Sequence, residues 1–273
     1  MKNFNIIRFG NLMKLDLMRN KRTYLYAFLS MLVGFLIIQF GCFYTFFKGM
    51  YYSPLQIESA HENMFICFLM VEYLYAMVCI SSSFTFLRDK DRRISYLLIP
   101  ATPLEKFWSR IVIHTLGMFL LSLVAFVLSD WAMYAVFSVF QDSAESMLPY
   151  LFTEGQRFIS HLGDMMFDNG EFLKGGIVSV LSLLSYSSMM LSIYLFASMV
   201  FRKHPFILMS LCLISFLVLF AVLVTDKIND SHVFFVFRND GYQALVFIVL
   251  TIFFTSLSYV LFKRKGAVHR TLC

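Results

Sequence analysis

Apolar side chains are gathered along this 273-residue chain into six blocks set apart by polar, charged segments. The blocks run over about 24–47, 64–87, 107–140, 177–201, 206–224 and 242–262. Each is close to or above the roughly 20 residues that carry a helix across a bilayer. Strict apolar–polar alternation of the barrel kind is absent, and the five prolines (Pro54, Pro100, Pro103, Pro149, Pro205) stand outside the blocks or at their edges. In hydrocarbon the backbone must satisfy itself within the segment, so the pattern predicts six uninterrupted α-helices. Ahead of them, residues 3–22 have a period of their own. Ile6, Phe9, Met13 and Leu17 fall on one helical face, and Arg8, Asn11, Arg19 and Arg22 on the opposite one. This predicts an amphipathic helix lying in the membrane interface over residues 1–23, followed by a six-helix domain over 24–273. A plain basic anchor that fixes orientation is the simpler reading of the same charges.

Composition excludes a soluble globular domain. Of the chain 59% is apolar and 15% charged, where soluble domains carry roughly 25% charged residues. The net charge of +6 would suit nucleic acid in a soluble protein, but here the cations segregate by segment. Eighteen Lys and Arg fall before the first block, in the second and fourth connections and in the tail, against five in the remaining connections. Basic residues collect on the cytoplasmic side, so the chain reads as a multi-pass protein of the cell (inner) membrane with both termini in the cytoplasm and no nucleic-acid partner. The outer connections are acidic, and the longest, residues 141–176, repeats Phe158, Leu162 and Met165 at the spacing of a short amphipathic helix. The five cysteines show no Cys-x-x-Cys spacing and read as buried thiols. No cleavable leader pattern is expected at the start.

The connection over residues 88–106 carries the most local information. Thr102, Pro103 and Glu105 have the spacing of a capping box with proline at the first helical position, so the third helix is expected to begin well before its apolar block. Upstream, Arg88 to Arg93 alternate in charge, and Ile94-Ser95-Tyr96-Leu97-Leu98-Ile99 form an apolar run too short to span and closed by Pro100. An exposed run of this kind fits a docking surface. The alternative is a loop packed on its own helix ends.

Six spans, an amphipathic N-terminal helix and a charged-then-apolar loop between spans two and three resemble the permease subunits of type-2 ABC exporters. The run from Arg92 and Arg93 through Tyr96, Leu97, Leu98, Ile99 and Pro100 to Thr102 is similar to the loop that carries that family's coupling helix. The resemblance implies a homodimer or heterodimer of permeases among membrane lipids, driven by a separate ABC ATPase that brings ATP and Mg. It also implies a smaller second contact at Arg202-Lys203-His204. One departure stands out. The family places its larger outer insertion between spans five and six, whereas here the long outer connection follows span three, and the fifth connection offers only Val233–Phe237 as a dip into the membrane.

No phosphate-binding loop, zinc-protease helix or nucleophile elbow occurs, so no enzymatic activity and no cofactor are assigned to this chain. Asn229-Asp230-Ser231 matches a glycosylation sequon, a match frequent by chance. Within the blocks, Glu72 is the acidic group deepest in the membrane, where a charge costs on the order of 3 kcal/mol unless it faces protein, water or substrate. It is a candidate pathway residue, or a carboxyl hydrogen-bonded to a neighbouring helix. His114 is expected at the interface and Asp130 in water near the outer end of its span. Ser179, Ser182, Ser185, Ser188 and Ser192 form one stripe on span four. Close helix packing explains it better than a hydroxyl-lined path, for which Ser182 and Ser185 are the candidates. Two readings stand beside the exporter: a secondary transporter, which calls for several intramembrane titratable groups, and a membrane scaffold whose carboxylate-rich outer connection binds a partner.

Overall fold

The computed structural model describes residues 4–47, 54–139, 148–149, 176–201, 203–225 and 240–267. Among them no strand occurs. Helix α1 is Ile6–Arg19, α2 Lys21–Phe47 and α3 Pro54–Ser82. A 3₁₀ turn, Thr85–Arg88, leads to α4 (Lys90–Leu97) and α5 (Pro103–Val112). After a π turn at Ile113–Gly117 come α6 (Met118–Phe137), α7 (Gly176–Val200), α8 (Pro205–Thr225) and α9 (Asp240–Ala267). Five helical stretches are long and apolar enough to cross a membrane: Lys21–Gly41, Ile66–Arg88, Pro103–Val136, Leu181–Val200 and Tyr242–Lys265. A shorter apolar stretch, Pro205–Leu219, lies in α8. Many of their large apolar side chains point outward, among them Ile37, Met70, Trp131, Phe216 and Phe253, as a bilayer solvent requires. The chain is thus an all-helical, multi-pass membrane protein. The long connection with Phe158, Leu162 and Met165, apart from residues 148–149, lies outside the described residues, as do Val233–Phe237 and the sequon.

Packing divides the chain into two units. One comprises Met1–Leu12, Ala76–His114 and Leu162–Cys273. Its core joins Ile80, Phe84, Leu87, Tyr96, Phe107 and Phe262 to the inner face of α7. Phe84 stacks on Phe107 with ring centroids 5.5 Å apart, and both rings meet Phe262 of α9. α7 lies along α9, and Ser188 of the predicted serine stripe meets α9. Ser185 and Ser192 are buried, and Ser188 Oγ lies 3.2 Å from Thr251 Oγ1. The hydroxyl of Ser185 donates to the Ser182 carbonyl at 2.8 Å, and that of Ser188 to the Ser185 carbonyl at 2.9 Å. Small side chains whose hydroxyls are satisfied on their own helix let two backbones approach.

The other unit comprises Met13–Tyr75 and Thr115–His161. α2 turns Met31, Phe35 and Gln39 inward at four-residue steps. Phe35, Phe68 and Phe126 converge, with centroids 4.7 to 5.8 Å apart. Tyr75 donates to Ser30 Oγ at 3.0 Å. The pairs 35–68 and 30–75 make α2 and α3 antiparallel. At the start of α2, the buried Asp16 accepts from Asn20 Nδ2 at 2.8 Å and from the Tyr24 hydroxyl at 3.3 Å, which fixes the turn out of α1.

Two expectations change. The third span is not uniform, because the π turn widens it at His114. Such a turn leaves carbonyls to be satisfied differently and is frequent at functional sites. His114 is buried there, with Nδ1 3.0 Å from the Arg110 carbonyl. Helix α1 forms where predicted, but its inward residues are Leu12 and Asp16, while Ile6 and Leu17 of the expected apolar face are exposed. Arg8, expected to face headgroups, is drawn into an ion pair within the chain.

Candidate functional site

The connection between α3 and α6 is built around Glu105. The capping box forms as its spacing predicts. The Glu105 amide donates to Thr102 Oγ1 at 3.2 Å, and Glu105 Oε2 accepts from the Thr102 amide at 2.8 Å. The carboxylate does a second job with its other oxygen. Oε1 accepts from the Asn5 amide at 2.7 Å and from Arg8 Nη2 at 3.0 Å. Asn5 in turn caps α1, its Oδ1 accepting from the Ile7 amide at 2.9 Å. One carboxylate, 0% exposed, therefore fastens the start of α1 to the start of α5.

Around this knot lies a cationic and aromatic brace. Tyr96 is 3% exposed, and its hydroxyl donates to the Lys106 carbonyl at 2.9 Å. Its ring meets Phe86 edge-on at 4.7 Å. The Arg110 guanidinium lies 4.3 Å from the Phe86 ring centre and 5.3 Å from that of Tyr96, a cation–π geometry that counts for more when desolvated. Lys106 Nζ closes the brace by donating to the Leu97 carbonyl at 2.8 Å, at the open end of α4.

This brace sorts the residues expected to form a docking surface. Tyr96 is turned inward, and Ile99 packs against the core, because α4 must bury one face on the spans beneath it. Ile94 and Leu97 are half-buried. Leu98 is left 77% exposed; Pro100 and Arg92 are exposed as well, and Arg92 pairs with Asp89 at 3.3 Å. Thr102 is buried as the cap of α5. Arg93 is half-buried. The hexapeptide thus offers a narrow apolar tip, not a six-residue patch. At the other connection His204 has φ of 45°, an unusual conformation for a residue with a side chain, just ahead of Pro205, which opens α8.

The second candidate region is the polar interior of the 13–75 and 115–161 unit. The Glu72 carboxyl lies beside Ser122, with its Oε2 buried and lacking a hydrogen-bond partner among the described residues. Asp130 is not wet but 0% exposed. It occupies the same inward face as Ser122, Phe126 and Ser129, and that face decides its burial. Contacts Glu72–Ser122 and Phe68–Phe126 make α3 and α6 antiparallel. At 1.5 Å rise per residue, Glu72 and Ser122 stand about 6 Å to one side of the phenylalanine layer. Gln39 and Asp130 stand about 6 Å to the other. Both side-chain amide atoms of Gln39 are buried with no hydrogen-bond partner among the described residues.

Gln39 is not among the candidates the sequence offers, and Asp130 is there expected in water. A lone polar residue on the inward face of an apolar helix is the signal that would have found Gln39. Gln39→Leu is expected to raise stability by about 1–3 kcal/mol, since the unsatisfied amide is removed at nearly constant volume. Thermal unfolding in detergent checks this, and a drop would mean that the amide finds an acceptor in the membrane-embedded protein. Among the described residues no cluster of His, Cys, Asp or Glu could hold a metal. Compared with family models, curated proteins and solved structures, the chain matches none.

Proposed function

We propose that this chain is the membrane-spanning permease subunit of an ATP-driven exporter of the ABC type. In this reading six spans cross the cell membrane, both termini face the cytoplasm, and the connection between the second and third spans receives a separate ATPase subunit. A second copy or a related permease completes the transporter. The carrying observation is Leu98, 77% exposed at the tip of an element whose neighbours Tyr96, Glu105 and Lys106 are all buried. A large apolar side chain held rigidly in the open fits the role of a plug for a partner's pocket. The brace would then pass force from that plug into α5, and a partner with different affinity for two states would bias the spans between them.

Leu98→Asp is expected to abolish co-purification of the ATPase in mild detergent while membrane insertion is unchanged. Retained association would remove Leu98 from the contact. The polar levels around Glu72, Gln39 and Asp130 are the proposed path within the subunit. The same groups favour a second reading, a secondary transporter. Proton-coupled uptake into vesicles, with no ATPase in the purified sample, would establish that alternative.

A further inference from the structure

The end of α7 borders a cavity of about 260 Å³. Its walls set Leu87, Met199 and Phe201 beside three cations, Arg88, Arg93 and Lys265. Two of the cations are committed. Arg88 donates to the Phe201 carbonyl and Lys265 to the Met199 carbonyl, and so they serve the last carbonyls of α7, which have no amide partners of their own. They also offset the negative end of that helix dipole.

Arg93 differs. Its guanidinium makes no hydrogen bond or ion pair among the described residues, and its Nε is buried. No carboxylate lines the cavity; Asp91 and Asp89, the acids that precede Arg93 in the chain, are both exposed, and Asp89 pairs with Arg92. A buried donor held without an acceptor calls for one, and a guanidinium fork matches the oxygens of a phosphate.

Position narrows the ligand. The apolar stretches Ile66–Arg88, Leu181–Val200 and Tyr242–Lys265 all end at residues that line this cavity. Ends of spans mark where helices leave hydrocarbon, which puts the cavity at headgroup depth, with apolar and cationic side chains both in its lining. We propose that the cavity binds a phosphate group, supplied by the headgroup of an anionic phospholipid. This assignment stands independently of the ATPase reading.

The test measures thermal unfolding of the purified chain in neutral detergent with added phosphatidylglycerol, diacylglycerol of the same acyl chains, or inorganic phosphate. Phosphatidylglycerol is expected to stabilise the parent and Arg92→Gln, whose side chain lies outside the cavity, and diacylglycerol to do neither. Arg93→Gln is expected to weaken apparent lipid affinity about 10- to 100-fold. If inorganic phosphate alone reproduces the effect and Arg93→Gln removes it, the site stands and its ligand is the free anion. Equal responses of Arg93→Gln and Arg92→Gln, or stabilisation by phosphatidylglycerol no greater than by diacylglycerol, overturn the proposal. Native mass spectrometry of the unaltered chain gives a second reading that needs no variant. Retention of phosphatidylglycerol over diacylglycerol at equal supply supports the site, and equal retention overturns it.

Discussion

Replacing Glu105 by alanine is expected to destabilise the 1–12, 76–114 and 162–273 unit by about 3–5 kcal/mol, the range for stripping one partner from a buried ion pair. The size follows from how much one carboxylate holds. Its loss leaves the Thr102 amide and the Asn5 amide without this acceptor and removes the ion pair with Arg8. Arg8→Gln is expected to cost less, because that side chain is still partly in water and the remaining carboxylate keeps its two backbone donors. Thermal melts of both variants and of the double variant, followed by helix signal in detergent, give the coupling directly. A Glu105→Ala loss below about 1 kcal/mol, the usual worth of a helix cap alone, would show that the link to α1 contributes nothing. Limited proteolysis adds a spatial test, since α1 should become cleavable in Glu105→Ala before the spans do.

Tyr96→Ala carries the second large effect. A buried aromatic truncated to alanine costs about 3–5 kcal/mol, and here the ring also supports the Arg110 guanidinium. Tyr96→Phe is expected to cost only about 1 kcal/mol, for the hydrogen bond to the Lys106 carbonyl. The ratio between the two variants separates packing from hydrogen bonding. If Tyr96→Phe proved as harmful as Tyr96→Ala, the hydroxyl and not the ring would be holding α4 in place. Both variants leave Leu98 untouched. A loss of partner binding in Tyr96→Ala that is absent in Tyr96→Phe would therefore show that the tip works only when braced.

What was legible in the sequence was what is local. The capping box at Thr102 and Glu105 is a three-residue spacing, and it formed as written. Helix existence followed from block length, and the serine stripe from its three- and four-residue steps. What depended on chain folding was not legible. The other half of the Glu105 carboxylate meets Asn5 and Arg8, about a hundred residues earlier. The run Ile94 to Ile99 is apolar at nearly every position, so its pattern names no inward face, and the burial of Tyr96 had to come from the structure. Asp130 was misplaced for a related reason. Depth along the helix was read from its position in the block, whereas the face it shares with Phe126 and Ser129 set its surroundings.

The ring layer of Phe35, Phe68 and Phe126 has a consequence for charge movement. Protons travel by relay between hydroxyls, carboxyls and waters a few ångströms apart, and three benzene faces offer neither lone pair nor exchangeable hydrogen. The carboxyl at Glu72 and the one at Asp130 therefore stand on opposite sides of a layer whose rings offer a proton no relay group of their own. Anything using both polar levels would have to pass this layer where the phenyl groups part.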